Sequence, residues 1–138
     1  MEIDATNLVI GRLSTVVAQK ALAGESVTIV NAEKAVITGT QQAALERYKR
    51  RDSMTAKANP HKGPKFSRMP DRILRYAIKG MLPMKSSRGL NALRKTKIYI
   101  GIPKELKGKK FETLESAKNK SRNFQSLEQI SKAMGAKW

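Results

Sequence analysis

Residues 3–31 read IDATNLVIGRLSTVVAQKALAGESVTIVN, and this stretch decides the fold. Residues 3–5 predict a short strand. Between residues 7 and 23, Leu8, Leu13, Val16, Val17 and Ala21 recur at three- and four-residue intervals, the period of an amphipathic helix. Gly24 follows as a residue able to take positive φ just beyond a helix end. Val27, Ile29 and Val30 around Thr28 then make residues 25–31 read as a buried strand. Strand, helix and strand within some thirty residues form a βαβ unit, so the two strands should lie parallel across a right-handed crossover.

A βαβ unit raises the question of a nucleotide site. A dinucleotide fingerprint needs G-x-G-x-x-G at the first turn, where glycines let backbone amides reach a pyrophosphate. Here the turn reads Asp4-Ala5-Thr6-Asn7, with a lone Gly11 inside the predicted helix, and no Walker motif follows. The phosphate cradle is missing and the structural reading of the unit is preferred.

Working outward, residues 35–37 predict a third short strand. Thr38 and Gln41 have capping-box spacing for a helix whose apolar side is Ala44, Leu45 and Tyr48. That helix runs into Arg47, Lys49, Arg50 and Arg51, more cations than the helix dipole calls for, so phosphate contact is favoured over simple capping. Residues 54–69 show no periodicity and hold Lys57, His61, Lys62, Lys65 and Arg68 among Asn59-Pro60 and Gly63-Pro64. A loop of this length is usually functional or disordered, and this one is expected to be mobile alone and ordered on RNA. His61 is the sole histidine and has no nucleophile or carboxylate pair beside it, so no catalytic residue is assigned.

The clearest helix is predicted over residues 71–82, with Pro70 at its first turn and Pro83 ending it. Ile73, Leu74, Ala77, Ile78, Met81 and Leu82 form one side, and Arg72, Arg75 and Lys79 a stripe opposite, with Tyr76 at its edge, where covering the core is preferred to stacking on a base. After Lys85 and Arg88 comes a short helix, capped by Ser86 or Ser87, with Leu90 and Leu93 inward and Arg94 and Lys95 outward. Ile98-Tyr99-Ile100 predicts the last clear strand. The polar tail ends in a helix with a Ser126/Gln129 capping box and Leu127, Ile130 and Met134 on one face; Trp138 is expected to cover apolar surface.

Charge is distributed unevenly along this framework. Residues 47–97 carry sixteen Lys/Arg against Asp52 and Asp71, a net +14, while the segment before is −2 and the segment after +5, giving the chain's +17. A polyanion is therefore expected as partner of the middle block. Four glycines and prolines at residues 60, 63, 64 and 70, with more downstream, break that block up, unlike the single amphipathic helix expected at a lipid surface. Within 138 residues one domain is expected, organised as a scaffold start (1–46), a basic block (47–97) and a last strand with C-terminal helix (98–138). The absence of cysteine excludes disulfides and thiolate chemistry. No apolar run nears the roughly 18 residues of a membrane span, and the acidic start with Glu2 and Asp4 is unlike a signal peptide, so a soluble, intracellular protein is expected.

Several motifs in this order resemble a known family. Ile78-Lys79-Gly80-Met81-Leu82-Pro83, Ser87-Arg88-Gly89 and Lys97-Ile98-Tyr99-Ile100-Gly101-Ile102-Pro103 resemble the L13 family of large-subunit ribosomal proteins. Ile3-Asp4-Ala5, Gly11-Arg12-Leu13, Val30-Asn31-Ala32-Glu33-Lys34 and Thr38-Gly39 match as well. His61-Lys62-Gly63-Pro64 and Arg68-Met69-Pro70-Asp71-Arg72-Ile73 are similar to the archaeal and eukaryotic branch, and the missing long C-terminal extension favours archaeal. Met84 stands where an aromatic or histidine is common, and Thr96 where leucine is usual. The resemblance implies a three-layer α/β/α sandwich with a small, about four-stranded, largely parallel sheet. It implies a cytoplasmic component of the large ribosomal subunit that binds the large (23S-type) rRNA and neighbouring ribosomal proteins, supports subunit assembly, and needs no cofactor, metal or small-molecule substrate. It carries rRNA contact onto Lys62, Arg68, Arg72, Arg75, Lys79, Arg88 and Arg94. Charge alone assigns Lys49, Arg50, Arg51, Lys57, Lys65, Lys85 and Lys95, with Arg47 and His61 completing the set.

Two other classes compete. An RNA-modifying enzyme on a Rossmann-like sheet would need a cofactor pocket at the strand ends, and a membrane-surface or acidic-protein adaptor would use the charge alone. Specific base readout by the basic block is expected to be minor, because few aromatics are available for stacking.

Overall fold

The computed structural model describes residues 1–54 and 57–138. β1 (Glu2–Asp4), α1 (Ile10–Leu22) and β2 (Val27–Val30) form the expected unit, with β1 and β2 parallel and Ile3 opposite Ile29. β4 (Thr96–Ile98) pairs parallel with the other edge of β2, giving the order β1-β2-β4. Val27, Ile29 and Val30 on the central strand are all buried, as a parallel strand covered on both faces requires. Helix α1 buries Ile10, Leu13, Ser14, Val17, Ala18 and Ala21, one face at helical spacing, and packs on β2. Gly24 takes φ +101° after it, the left-handed conformation that closes a helix.

Helix α1 starts three residues later than the apolar pattern predicts. Leu8 is fully buried, but it belongs to an extended entry segment in which its carbonyl accepts from Val36 N–H. Asn7 turns that entry with φ +58°, and Asn31 turns the exit of β2 with φ +55°. Asparagine is one of the few side-chain-bearing residues that visit this region readily. Asp4 Oδ1 ties the two turns together by accepting from Thr6 N, Thr6 Oγ1 and Asn31 Nδ2 at 2.9, 2.7 and 3.0 Å. Burial alone would raise the Asp4 carboxyl, but those hydrogen bonds and the Lys34 charge prevail and hold its pKa below the usual value.

The sheet is smaller than expected. The strand predicted near residues 35–37 forms as β3 (Val36–Thr38), yet it pairs antiparallel with β5 (Phe124–Ser126) instead of joining the parallel sheet. The 3-10 turn Ala32–Lys34 carries the chain away from β2 before β3 begins. Because Thr38 is thereby a strand residue, the Thr38/Gln41 capping box does not form; α2 (Gln41–Asp52) starts after Thr40 with no side-chain cap.

α3 (Pro70–Gly80) carries Pro70 in its first turn and buries Ile73, Leu74 and Ile78. Met81, assigned to the apolar side, lies beyond the helix end and is 43% exposed. α4 (Ser87–Lys95) is capped by Ser86 Oγ, which accepts from Arg88 N–H at 3.3 Å. Its inward face is Gly89 and Ala92, with Leu93 half-buried; Leu90, expected inward, is exposed. The cause is a close approach, since a Cβ on Gly89 would lie 2.2 Å from the Pro83 carbonyl oxygen. α4 therefore docks through its smallest residues, and Leu90 is turned to solvent.

The last strand is shifted two residues towards the N-terminus of its predicted place. Thr96 is buried in it and donates its hydroxyl to the Ala92 carbonyl at 3.1 Å, so the strand begins where α4 ends. Tyr99 N–H still bonds Ile29 O at 2.9 Å. α5 (Leu127–Ala133) shows the predicted capping box between Ser126 and Gln129, and Leu127, Ile130 and Met134 are buried. α1 packs on β2, α3 and α4, and α3 and α4 each pack on β4, in an α/β fold whose main core is accompanied by a smaller cluster of Ala44, Ile130 and Met134.

Candidate nucleic-acid interface

All sixteen candidate contact residues are exposed, but their surroundings sort them into two kinds. At the end of α2, Arg47, Lys49, Arg50 and Arg51 have no carboxylate partner among the described residues. Tyr48 between them is half-buried against Ala44, Ile130 and Met134, and the Arg51 guanidinium lies 6.0 Å from its ring centroid. Burial pushes the Tyr48 hydroxyl up, against the pull of the Arg51 and Arg47 charges, so it stays a neutral phenol.

Residues 57–69, the described part of the basic loop beyond residue 54, expose Lys57, Lys62 and Lys65. A 3-10 turn, Pro60–Lys62, is held by Asn59, whose Oδ1 accepts from His61 N–H at 3.0 Å and whose carbonyl accepts from Lys62 N–H at 3.1 Å. Arg68 Nη2 meets Asp52 Oδ2 at 2.8 Å and fastens the loop's exit to α2. This half-exposed pair contributes about 0–1 kcal/mol, so a phosphate can compete for the guanidinium.

The stripe predicted on α3 divides. Arg72 and Lys79 face solvent, and Lys79 Nζ lies 5.7 Å from the Tyr76 ring centroid. Arg75 instead donates to the Thr96 and Leu93 carbonyls at 3.2 and 3.4 Å, at the end of α4. Two more candidates behave likewise at the end of α1: Arg88 donates to Leu22 O at 3.3 Å and Lys95 to Gly24 O at 2.9 Å. Cations beside the last carbonyls of a helix satisfy orphan acceptors and offset the negative end of its dipole. Lys85 and Arg94 are exposed, with no such partner among the described residues. Tyr76, expected to cover core, is 53% exposed.

The block's acids neutralise little of this charge. Asp52 takes Arg68, and Asp71 sits in the first turn of α3, where a negative charge suits the helix dipole. Elsewhere among the described residues cations do find carboxylates: Lys20 with Glu25, Lys109 with Glu2, Lys118 with Glu115, and Lys132 with Glu128. All four of those pairs lie outside residues 47–97.

One feature escaped the sequence reading. A cleft of about 740 Å³ opens between α2 and α3, lined by Tyr48, Phe66 and Tyr76 with Arg47 and Arg51. Its three aromatics are spread over 29 residues of sequence, and only the approach of α2, α3 and the loop exit brings them together. Conversely, the first turn after β1, where a nucleotide pyrophosphate would need backbone amides, presents the Asp4 carboxylate, which repels phosphate. No cluster of potential metal ligands occurs among the described residues, and no described helix is long and apolar enough to cross a membrane.

Exposed cations on an α/β scaffold are the electrostatic footprint expected of a small nucleic-acid-binding protein. The family model described as ribosomal protein L13 matches residues 1–105, and the chain belongs to that family. It is similar to the large ribosomal subunit protein uL13 of Archaeoglobus fulgidus, 42% identical over 137 residues, covering 96% of this chain and 86% of the relative. The protein of the same name from Picrophilus torridus is 43% identical, covering 96% and 95%, and that from Methanosphaera stadtmanae 39%, covering 99% and 97%. These archaeal relatives agree with the branch that residues 61–73 resemble. The chain is a structural protein of the large ribosomal subunit and not an enzyme, and the RNA-modifying alternative is not supported.

Proposed function

We propose that this protein binds the large-subunit rRNA in the cytoplasm by phosphate neutralisation across residues 47–97, acting as one unit with its scaffold. Neighbouring ribosomal proteins share the surface left over. Direct contact falls first to the side chains that meet no carboxylate or backbone carbonyl among the described residues: Arg47, Lys49, Arg50 and Arg51 on α2, Lys57, His61, Lys62 and Lys65 in the loop, and Arg72, Lys79, Lys85 and Arg94 beyond it. Arg68, Arg75, Arg88 and Lys95 contribute charge from positions fixed by Asp52 or by helix ends. The observation that carries this reading is the missing counter-ions: a sixteen-cation block retains a single carboxylate pair among the described residues. Such a face is stable in isolation only through water and mobile ions, and exchanging those ions for phosphates drives binding.

Sedimentation of the native protein from cell extract tests it. In low salt the protein is expected in the large-subunit fraction, and in high salt it should be released. Protein running free at every salt concentration would refute the reading.

A further inference from the structure

Tyr48, Phe66 and Tyr76 are the only aromatic residues of segment 47–97, and all three line the cleft between α2 and α3. Its volume of about 740 Å³ falls within the roughly 300–1,000 Å³ of clefts that hold small ligands. Ile73, Ala77 and Ala44 supply apolar lining. Among the described lining residues the charged ones are Arg47 and Arg51, and none is an acid. We propose that this cleft seats an unstacked base of a single-stranded rRNA segment, with Arg47 and Arg51 holding the phosphates on either side. This rests on the rRNA reading above and adds to it a site at which a base is gripped as well as the backbone.

The choice of occupant follows from charge. An apolar peptide would fill the lining but would take water from two guanidinium groups without supplying an anion, and burying unpaired charge is costly. A nucleotide brings an aromatic plane and its own negative charge together. A paired helix is excluded because its bases are stacked and inaccessible, whereas unpaired nucleotides can be splayed onto aromatic side chains. The cations near Tyr48 and Tyr76 leave room for this, since each claims at most one face of its ring. Phe66 and Tyr76 are 38% and 53% exposed, so neither ring is committed to the core.

Competition binding of the full chain with two probes tests the proposal: a single-stranded oligoadenylate and an abasic phosphodiester of equal length. The phosphates are the same, so only a base-binding site distinguishes them. Wild type is expected to prefer oligoadenylate by about tenfold, within the range for stacking one base on an aromatic ring. The double variant Phe66→Ala/Tyr76→Ala should lose the preference while keeping its affinity for the abasic chain and its salt dependence. A 2-aminopurine in the oligonucleotide should be quenched by wild type and not by the variant. Equal affinity of wild type for both probes, or a preference surviving in the variant, would overturn the proposal and leave the cleft to an apolar peptide. Failure of wild type to bind either probe at low salt would overturn the rRNA reading along with it.

Discussion

The end of α2 and the seam between α1, α3 and α4 carry cations of the same kind to different ends. Arg47, Lys49, Arg50 and Arg51 project from the last turns of α2 and meet no carboxylate among the described residues. Arg75, Arg88 and Lys95 reach across to Thr96, Leu93, Leu22 and Gly24 and close the ends of α4 and α1. The first group should matter to RNA and little to folding. The second should matter to both. Net charge therefore measures how strongly a polyanion is attracted, while hydrogen-bond partners decide which cations are free to follow it.

Replacing Arg47, Lys49, Arg50 and Arg51 together with Gln should produce the largest separation. Affinity for a large-subunit rRNA fragment is expected to fall about 10²-fold or more at moderate salt, with the melting temperature nearly unchanged in calorimetry. A melting temperature lowered by more than about 3–4 °C, equivalent to roughly 1 kcal/mol in a domain of this size, would erase the contrast.

The double replacement Arg88→Gln/Lys95→Gln should show the opposite emphasis. Loss of two helix-end contacts is expected to cost about 1–2 kcal/mol of stability, read from urea unfolding, with only a modest loss of RNA affinity. Unchanged stability would mean that the seam's cations are as free as those of α2. Arg75 changes the expectation for the α3 stripe in the same way: Arg72→Gln/Lys79→Gln should spare the melting temperature, and adding Arg75→Gln should lower it.

A smaller, pH-gated effect belongs to the scaffold. The folded-state pKa of Asp4 lies below its ordinary 3.8, so the unfolded chain takes up the proton first as pH falls. Its contribution is complete well above pH 3.8 and is lost as pH drops through the lower folded value. Asp4→Asn should therefore melt below wild type at neutral pH, and the gap should close in acid. A gap that persists unchanged at the lowest pH would show that charge on Asp4 is irrelevant to the Asn7 and Asn31 turns. Smallest of all, Asp52→Asn should change stability by less than about 1 kcal/mol and slightly raise RNA affinity as Arg68 is released; weakened RNA binding would show that the pair orders the loop for its partner.

The parallel unit was legible because its signals are local: an apolar period in α1, a buried run in β2 and a glycine between them. So was the Ser126/Gln129 cap, where side chain and backbone sit three residues apart. What was hidden depends on distant partners. Val36–Thr38 has an ordinary strand pattern that cannot reveal whether it pairs with β2 or with β5, some ninety residues on. Leu90 looks inward by periodicity until Gly89 meets the Pro83 carbonyl. The basic block was evident as a charge count, yet the division of its members required the carbonyls of Leu22 and Gly24, 66 and 71 residues from their donors. The aromatic cleft was missed for the same reason, since counting aromatics along the chain does not show that the block's three converge.

The central claim is that phosphate neutralisation by the unpaired cations drives binding, and the salt dependence of affinity for a large-subunit rRNA fragment tests it most directly. With roughly 6–10 phosphates engaged, affinity should fall about 10³–10⁵-fold between 50 and 200 mM salt. Affinity that stays flat across that range would contradict it.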